Sequence, residues 1–389
     1  MKLVRISTVP ISLNILLKGQ LRFLNQFYDV TAVSGAGMDL DEVREREGVK
    51  THVVEIERQI SLIKDLISLW KLYLFFKKEK PEMIHSITPK AGLLSMIAGK
   101  FARVPVRMHT FTGLVFPYKK GLFQKILILT DKILCAAATH IYPEGEGVKN
   151  DLQKFKITSK PLKVIGNGNV NGINTSYFSA ENFTEKDKEL LKSQLGIAAE
   201  DFVFIFVGRL VGDKGINELV EAFCQLTSLP REGRGASVNK TPKLLLVGPL
   251  ETNLDPLLPE TLKRITQHPG IISEGFQKDV RPYFAISNCL AFPSYREGFP
   301  NVVMQAGAMD LPSVVTDING CNEIIIEGEN GTIIPVKNTA ALYKAMEKML
   351  RDEKGFLKMN ENARRMITSR YEQSVVWSAL LEEYQKIIS

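Results

Sequence analysis

Short apolar runs recur along the chain, and longer stretches with apolar residues at helical spacing lie between them. In the first half the runs at Lys2 to Thr8, Tyr28 to Ser34, Val49 to Ile56, Met83 to Ile87, Val106 to His109 and His140 to Pro143 predict six strands. The pattern restarts at Asp201, with strands expected near 202–207, 243–247, 270–273, 289–292, 313–316 and 332–335. Runs such as Phe202-Val203-Phe204-Ile205-Phe206-Val207 are apolar on both sides, as strands of a parallel sheet covered by helices on both faces must be. Two βα-repeating halves follow, joined near residue 170. The joining stretch, Ile165 to Asn174, has irregularly spaced glycines and no helix directly after it, so it reads as a linker and not as a dinucleotide fingerprint. Pro242 and the polar run Arg231 to Asn239 predict a surface loop insertion, and Val375 to Ile388 predicts a closing helix around Trp377, Leu380, Leu381 and Tyr384. The expected domains are 1–170, 171–370 and the tail 371–389.

The chemistry collects in the second half. Cys289 to Pro293 is short and apolar enough for a buried parallel strand, and Glu297-Gly298-Phe299-Pro300-Asn301 follows it, with Pro300 suited to a first helical turn. Glu297 then lies beyond the carboxyl end of a strand, where open α/β sheets bind ligands and the next helix offers amides to a phosphate. Taken alone, such a glutamate also fits an ordinary strand-to-helix turn. A second unit of the same kind ends its strand in Gly208-Arg209 and opens its helix after Lys214-Gly215. A guanidinium fork and an ammonium at those points suit a diphosphate, each charge-assisted contact contributing roughly 1.5 to 3 kcal/mol. Without a partner turn they read as solvated loop cations.

Together these residues resemble the nucleotide-sugar half of glycosyltransferase family 4, retaining enzymes of the GT-B fold, in which two Rossmann-like βαβ domains face a central cleft. The ordered set is Gly208-Arg209, Lys214-Gly215, Leu244 to Gly248, Gly275-Phe276, Pro293-Ser294, Glu297 to Pro300, Thr316-Asp317 and Glu323. The resemblance implies that Arg209 and Lys214 hold the donor diphosphate and that Glu297 faces the transferred sugar. Gly298 and Phe299 would belong to the same donor-binding set, and the amides of Asn301 and Val302 would cap a phosphate. The family pattern places a second glutamate eight residues after the first, bonded to the ribose; this chain has Gln305 there. An amide offers one acceptor oxygen where a carboxylate accepts twice, so ribose binding is expected to persist with a loss on the order of 1 kcal/mol.

In the first half, the resemblance implies a histidine in the loop after Val106 to His109, near the donor sugar and the acceptor hydroxyl. It carries that role to His109, with Thr112 as an alternative alignment. Acceptor contacts are implied after the first strand, at Lys18 and Gly19, with Lys90 and Thr112 as further candidates; solvated lysine is the simpler reading of Lys18 and Lys90. The tail helix is implied to cross back onto the first domain.

Composition narrows the setting. With 389 residues the chain exceeds what one core usually supports. No apolar run approaches the roughly 20 residues that span a bilayer, and no signal-peptide pattern opens the sequence, so a cytoplasmic location is expected. Cys135, Cys224, Cys289 and Cys321 are too scattered for a disulfide framework or a paired metal motif. Asp39-Leu40-Asp41 reads as a charged helix start, and neither metal nor cofactor is expected beyond the sugar nucleotide itself.

The net charge of +7 is uneven: residues 1–165 hold 26 basic against 15 acidic residues, a net +11, which leaves −4 for the rest. A basic first half suggests an anionic membrane surface or a phosphate-linked acceptor; nucleic acid is disfavoured because no recognised nucleic-acid module is present. Of two aromatic and lysine-bearing stretches, Leu62 to Lys80 is expected as a buried helix over the sheet and Phe116 to Lys125 as the better membrane contact.

The expected protein is thus a peripheral, retaining hexosyl- or N-acetylhexosaminyltransferase, moving a sugar from a nucleotide diphosphate, most simply UDP, to a lipid-linked or polysaccharide acceptor in capsule or other surface-glycan biosynthesis. A GT-B-fold sugar-nucleotide epimerase and a non-catalytic basic lipid- or nucleic-acid-binding relative are the alternatives.

Overall fold

A computed structural model describes residues 1–59, 61–228, 240–253 and 255–388. Two compact units divide the chain: Met1–Gly172 with Gln373–Ser389, and Ile173–Glu372.

The first unit is built on six strands, β1 (Lys2–Ile6), β2 (Asp29–Ser34), β3 (Lys50–Val53), β4 (Met83–Ser86), β5 (Val106–Phe111) and β6 (His140–Pro143). They form one parallel sheet in the order β3-β2-β1-β4-β5-β6. Successive residues of a strand point to opposite faces, so the sheet buries two separate layers. Val4, Val33 and Ile84 pack with Leu72, Phe76, Leu94 and Leu134 on one side. Leu3, Val30 and Met83 pack with Leu13, Leu17, Leu21 and the tail residues Leu380 and Tyr384 on the other. The tail helix Gln373–Ile388 therefore completes the second layer of this unit. A buried cluster ties it down: Arg5 donates to the Tyr384 hydroxyl at 2.5 Å, and Tyr384 also meets His85 Nδ1 at 2.6 Å.

The second unit repeats the plan with β7 (Phe202–Val207), β8 (Pro242–Val247), β9 (Ile271–Gly275), β10 (Cys289–Phe292), β11 (Ser313–Thr316) and β12 (Gly331–Ile334). Its parallel sheet runs β12-β11-β10-β7-β8-β9. Every residue from Phe202 to Phe206 is at most 2 % exposed, as a strand covered on both faces requires. Pro242 opens β8 instead of belonging to a loop, a place where a missing N–H costs nothing. The run Arg231 to Asn239, expected as a loop insertion, lies outside the described residues.

The helix Leu62–Glu79 departs from expectation. It buries only Ser68, Leu72, Phe75 and Phe76, while Leu62, Ile63 and Leu66 are 65 to 77 % exposed. An all-round apolar helix was expected to be covered on all sides, but only one of its sides meets this unit's apolar cluster. In the other stretch, Phe116 is fully buried and Tyr118 exposed.

Candidate functional site

Both sheets reverse their strand order once, at β1/β4 and at β10/β7. Open α/β sheets leave a crevice beyond the carboxyl ends at such a point, because the flanking connections run to opposite faces. In the second unit the two strands at the reversal are the ones that carry the motifs: β7 leads to Arg209 and Lys214, and β10 leads to Glu297.

Close backbone approach brings those loops together. Gly215 has φ of +71°, and a Cβ there would lie 2.2 Å from the carbonyl oxygen of Pro293. Only glycine combines the left-handed conformation with that approach. Tyr295 N–H donates to the Asp213 carbonyl at 2.8 Å, and Arg296 pairs with the Asp213 carboxylate at 2.8 Å. So fastened, the Lys214 ammonium donates directly to Glu297 Oε1. Ser294 Oγ donates to the same oxygen at 2.9 Å, and its own carbonyl accepts from Thr316 Oγ1. The Lys214 and Glu297 side chains are each 18 % exposed, and the ammonium lies 5.9 Å from the centroid of the Phe292 ring. A second close approach joins the β7 and β8 ends, where a Cβ on Gly248 would meet the Gly208 carbonyl oxygen at 1.8 Å.

Arg209 stands about half exposed beyond β7, its Nη1 donating to Glu251 at 2.6 Å. The helix Asn301–Ala308 follows Pro300, with Asn301 and Val302 at its first positions and Gln305 partly exposed in its second turn. Phe299 is 7 % exposed and packs edge-on to Tyr371 at 5.5 Å between centroids, so its side chain is part of the core. Gly298 contributes backbone only: its carbonyl oxygen would lie 2.5 Å from a Cβ on Gly320, which sets the turn. Burial raises the nearby Cys321 thiol well above its ordinary value, and the Glu297 charge adds to that, so the sulfur stays protonated.

In the first unit His109 lies in a strand and not in the loop expected for it. Strand β5 continues through Phe111, which makes His109 an interior strand residue with 1 % exposure. Its Nδ1 meets Ser86 Oγ at 2.8 Å, its ring stands edge-on to Phe111, and Gly92 leaves the space that it fills. Burial lowers its pKa to about 3, so the ring is neutral and closed off from solvent. Thr112 is the residue that enters the loop, donating to the Ile87 carbonyl at 2.9 Å.

Two of the acceptor candidates have contacts within the unit. Gly19 sits at φ +82° with its N–H on Glu47 at 2.9 Å, and a Cβ there would strike the Trp377 ring at 2.7 Å, so it makes room for the tail helix. Lys90 pairs with Asp65 at 2.6 Å and donates to the Gln59 carbonyl. Lys18 is exposed, its carbonyl accepting from Asn171 and Gln373. Asp39 and Asp41 lie in the first turn of the helix Met38–Glu47, bonded to Asn14 and Arg44 respectively.

Two six-stranded parallel sheets, each reversing once, are the GT-B fold, and the solved structures agree. HepE from Anabaena in complex with UDP superposes with a TM-score of 0.80 at 19 % identity, over 99 % of this chain and 100 % of that one. A sucrose-phosphate synthase from Thermosynechococcus elongatus gives 0.74 at 18 % identity over 100 % and 99 %. The family model described as Glycosyltransferase Family 4 matches residues 21–169, and that of Glycosyl transferases group 1 matches 187–366. The capsular polysaccharide biosynthesis glycosyltransferase CapM of Staphylococcus aureus is 32 % identical over 96 % of this chain and 94 % of its own. The chain belongs to glycosyltransferase family 4. A relative in Escherichia coli, named as a UDP-Gal:alpha-D-GlcNAc-diphosphoundecaprenol alpha-1,3-galactosyltransferase, is 25 % identical over 89 % and 86 %. Among the described residues, no helix is long and apolar enough to cross a membrane.

Glu251, Asp213 and Arg296 escaped the sequence reading. Glu251 had one available signal: it follows Gly248 beyond β8 much as Arg209 follows Gly208 beyond β7. Nothing local marks Asp213 and Arg296, which meet across 83 positions of sequence.

Proposed function

We propose that this enzyme is a retaining glycosyltransferase that moves a hexosyl or N-acetylhexosaminyl unit from a UDP-sugar to a lipid-linked or polysaccharide acceptor in surface-glycan assembly. The observation that carries the reading is the Lys214–Glu297 contact at the β7/β10 reversal, with Arg209 beyond the same strand. A diphosphate arriving at Lys214 competes with Glu297 for the ammonium. Its charge is met by Lys214, Arg209 and the amides at Asn301 and Val302, and the carboxylate is released toward the sugar ring. As the bond from the anomeric carbon to the phosphate oxygen breaks, negative charge grows on the leaving group, where these cations stabilise it. The acceptor oxygen bonds to the anomeric carbon from the same face, and its proton passes to the departing phosphate oxygen. The names of CapM and of the diphosphoundecaprenol-dependent relative support the acceptor class, and UDP in the HepE complex supports the nucleotide. Four cysteines without disulfides suit a reducing, cytoplasmic setting.

Thermal melting with UDP-, GDP-, ADP- and TDP-sugars tests the donor. A ligand bound only by the native state raises the melting temperature, so a rise with a UDP-sugar is expected, and Arg209→Ala should shrink it. A rise with another nucleotide alone, or with none, contradicts the UDP assignment. Replacing Gln305 with glutamate should tighten UDP binding by about fivefold, the difference between a neutral and a charge-assisted bond to a ribose hydroxyl. Calorimetric titration showing equal or weaker binding would place Gln305 away from the ribose.

A further inference from the structure

The first unit turns two apolar helical faces outward. Along Leu62–Glu79, the residues Leu62, Leu66, Trp70 and Leu74 recur at every fourth position and are 48 to 77 % exposed, opposite the side that packs on the core. Along Gly121–Ala137, Leu122, Ile126, Leu129 and Ile133 form a second stripe, 41 to 75 % exposed. Both helices bury their other sides in the same apolar cluster, and Pro89–Ala102 packs against each of them. They therefore belong to one layer. The largest apolar patches of soluble proteins are often functional, and two stripes on helices flanking a common third helix form more than scattered surface leucines do.

Charge selects the occupant. Exposed Lys71 and Lys78 border the first stripe at a seven-residue spacing, and Lys125 and Lys132 border the second in the same way. Exposed Lys119 and Lys120 precede the second helix. The carboxylates of the first helix are engaged, Asp65 by Lys90 at 2.6 Å and Glu79 by Lys2 at 3.1 Å. Asp131, the acid of the second helix, is pushed up to about 7 by burial and carries reduced charge near neutral pH. Apolar stripes edged by lysines fit the interface of a bilayer with anionic headgroups. A second copy of the chain fits less well, since a two-fold pairing through this layer would set lysine rows against lysine rows.

We propose that the layer formed by Leu62–Glu79, Pro89–Ala102 and Gly121–Ala137 is the face by which the protein seats on an anionic phospholipid surface. The proposal rests on the reading of a lipid-linked acceptor, which such a surface would hold within reach. Co-sedimentation of the full chain with phosphatidylcholine vesicles, and with vesicles of equal parts phosphatidylcholine and phosphatidylglycerol, tests it. Binding is expected to the second kind, weakened by salt and by Lys71→Ala with Lys78→Ala. The combined variant Leu66→Glu, Trp70→Glu and Leu129→Glu, all at exposed positions, should bind at least about tenfold more weakly while keeping its melting shift with the donor. Wild-type sedimentation by that variant overturns the proposal. So does a wild-type protein that ignores both vesicles but self-associates until these glutamates are introduced, which would identify the occupant as a second copy. Loss of the donor shift in the wild type would instead count against the donor reading and leave the vesicle result standing.

Discussion

Glu297→Ala abolishes sugar transfer and leaves UDP bound. The carboxylate accepts from Lys214 and Ser294. Its removal leaves the Lys214 ammonium to the diphosphate alone, so UDP affinity is expected to hold or rise. On the proposed mechanism, what disappears is the group facing the charge that develops at the sugar, and such a loss costs about 10²- to 10³-fold in rate. Initial rates of UDP release, beside a UDP titration of the same variant, separate the two effects. A variant that transfers at the wild-type rate would remove Glu297 from the chemistry. One that loses UDP together with activity would make it a binding residue.

Gly215→Ala is the second large effect. The left-handed backbone at φ +71° and a Cβ placed 2.2 Å from the Pro293 carbonyl oxygen cannot both be relieved without parting the two loops. Strain and overpacking together are expected to cost roughly 2 to 5 kcal/mol in the second unit. Because the same contact sets Lys214 beside Glu297, UDP binding should fall along with stability. Chemical denaturation, followed by titration under conditions where the variant is folded, checks both. Unchanged stability and binding would mean that the loops meet for some other reason.

The strands were legible because parallel strands covered on both faces must be apolar throughout, and Phe202 to Val207 or Cys289 to Phe292 can hardly be read otherwise. The motifs at their ends were legible too. That Lys214 touches Glu297 was not, since 83 residues separate them and the contact depends on one glycine passing one proline carbonyl. His109 shows the cost of a boundary error. Ending β5 at His109, two residues early, put an interior strand residue at the edge of a loop, whereas the strand continues to Phe111. The helix Leu62–Glu79 shows a different limit: composition gives the amount of apolar surface but not the side that finds a partner.

Incubating the purified protein with the UDP-sugar that stabilises it, together with a diphosphate-linked acceptor, and reading the anomeric configuration of the product by NMR tests the central claim most directly. The expected result is an acceptor-dependent release of UDP, a product linkage with the donor's own configuration, and neither in Glu297→Ala. An inverted linkage, a donor converted to another sugar without any acceptor, or turnover undiminished in the variant would contradict it.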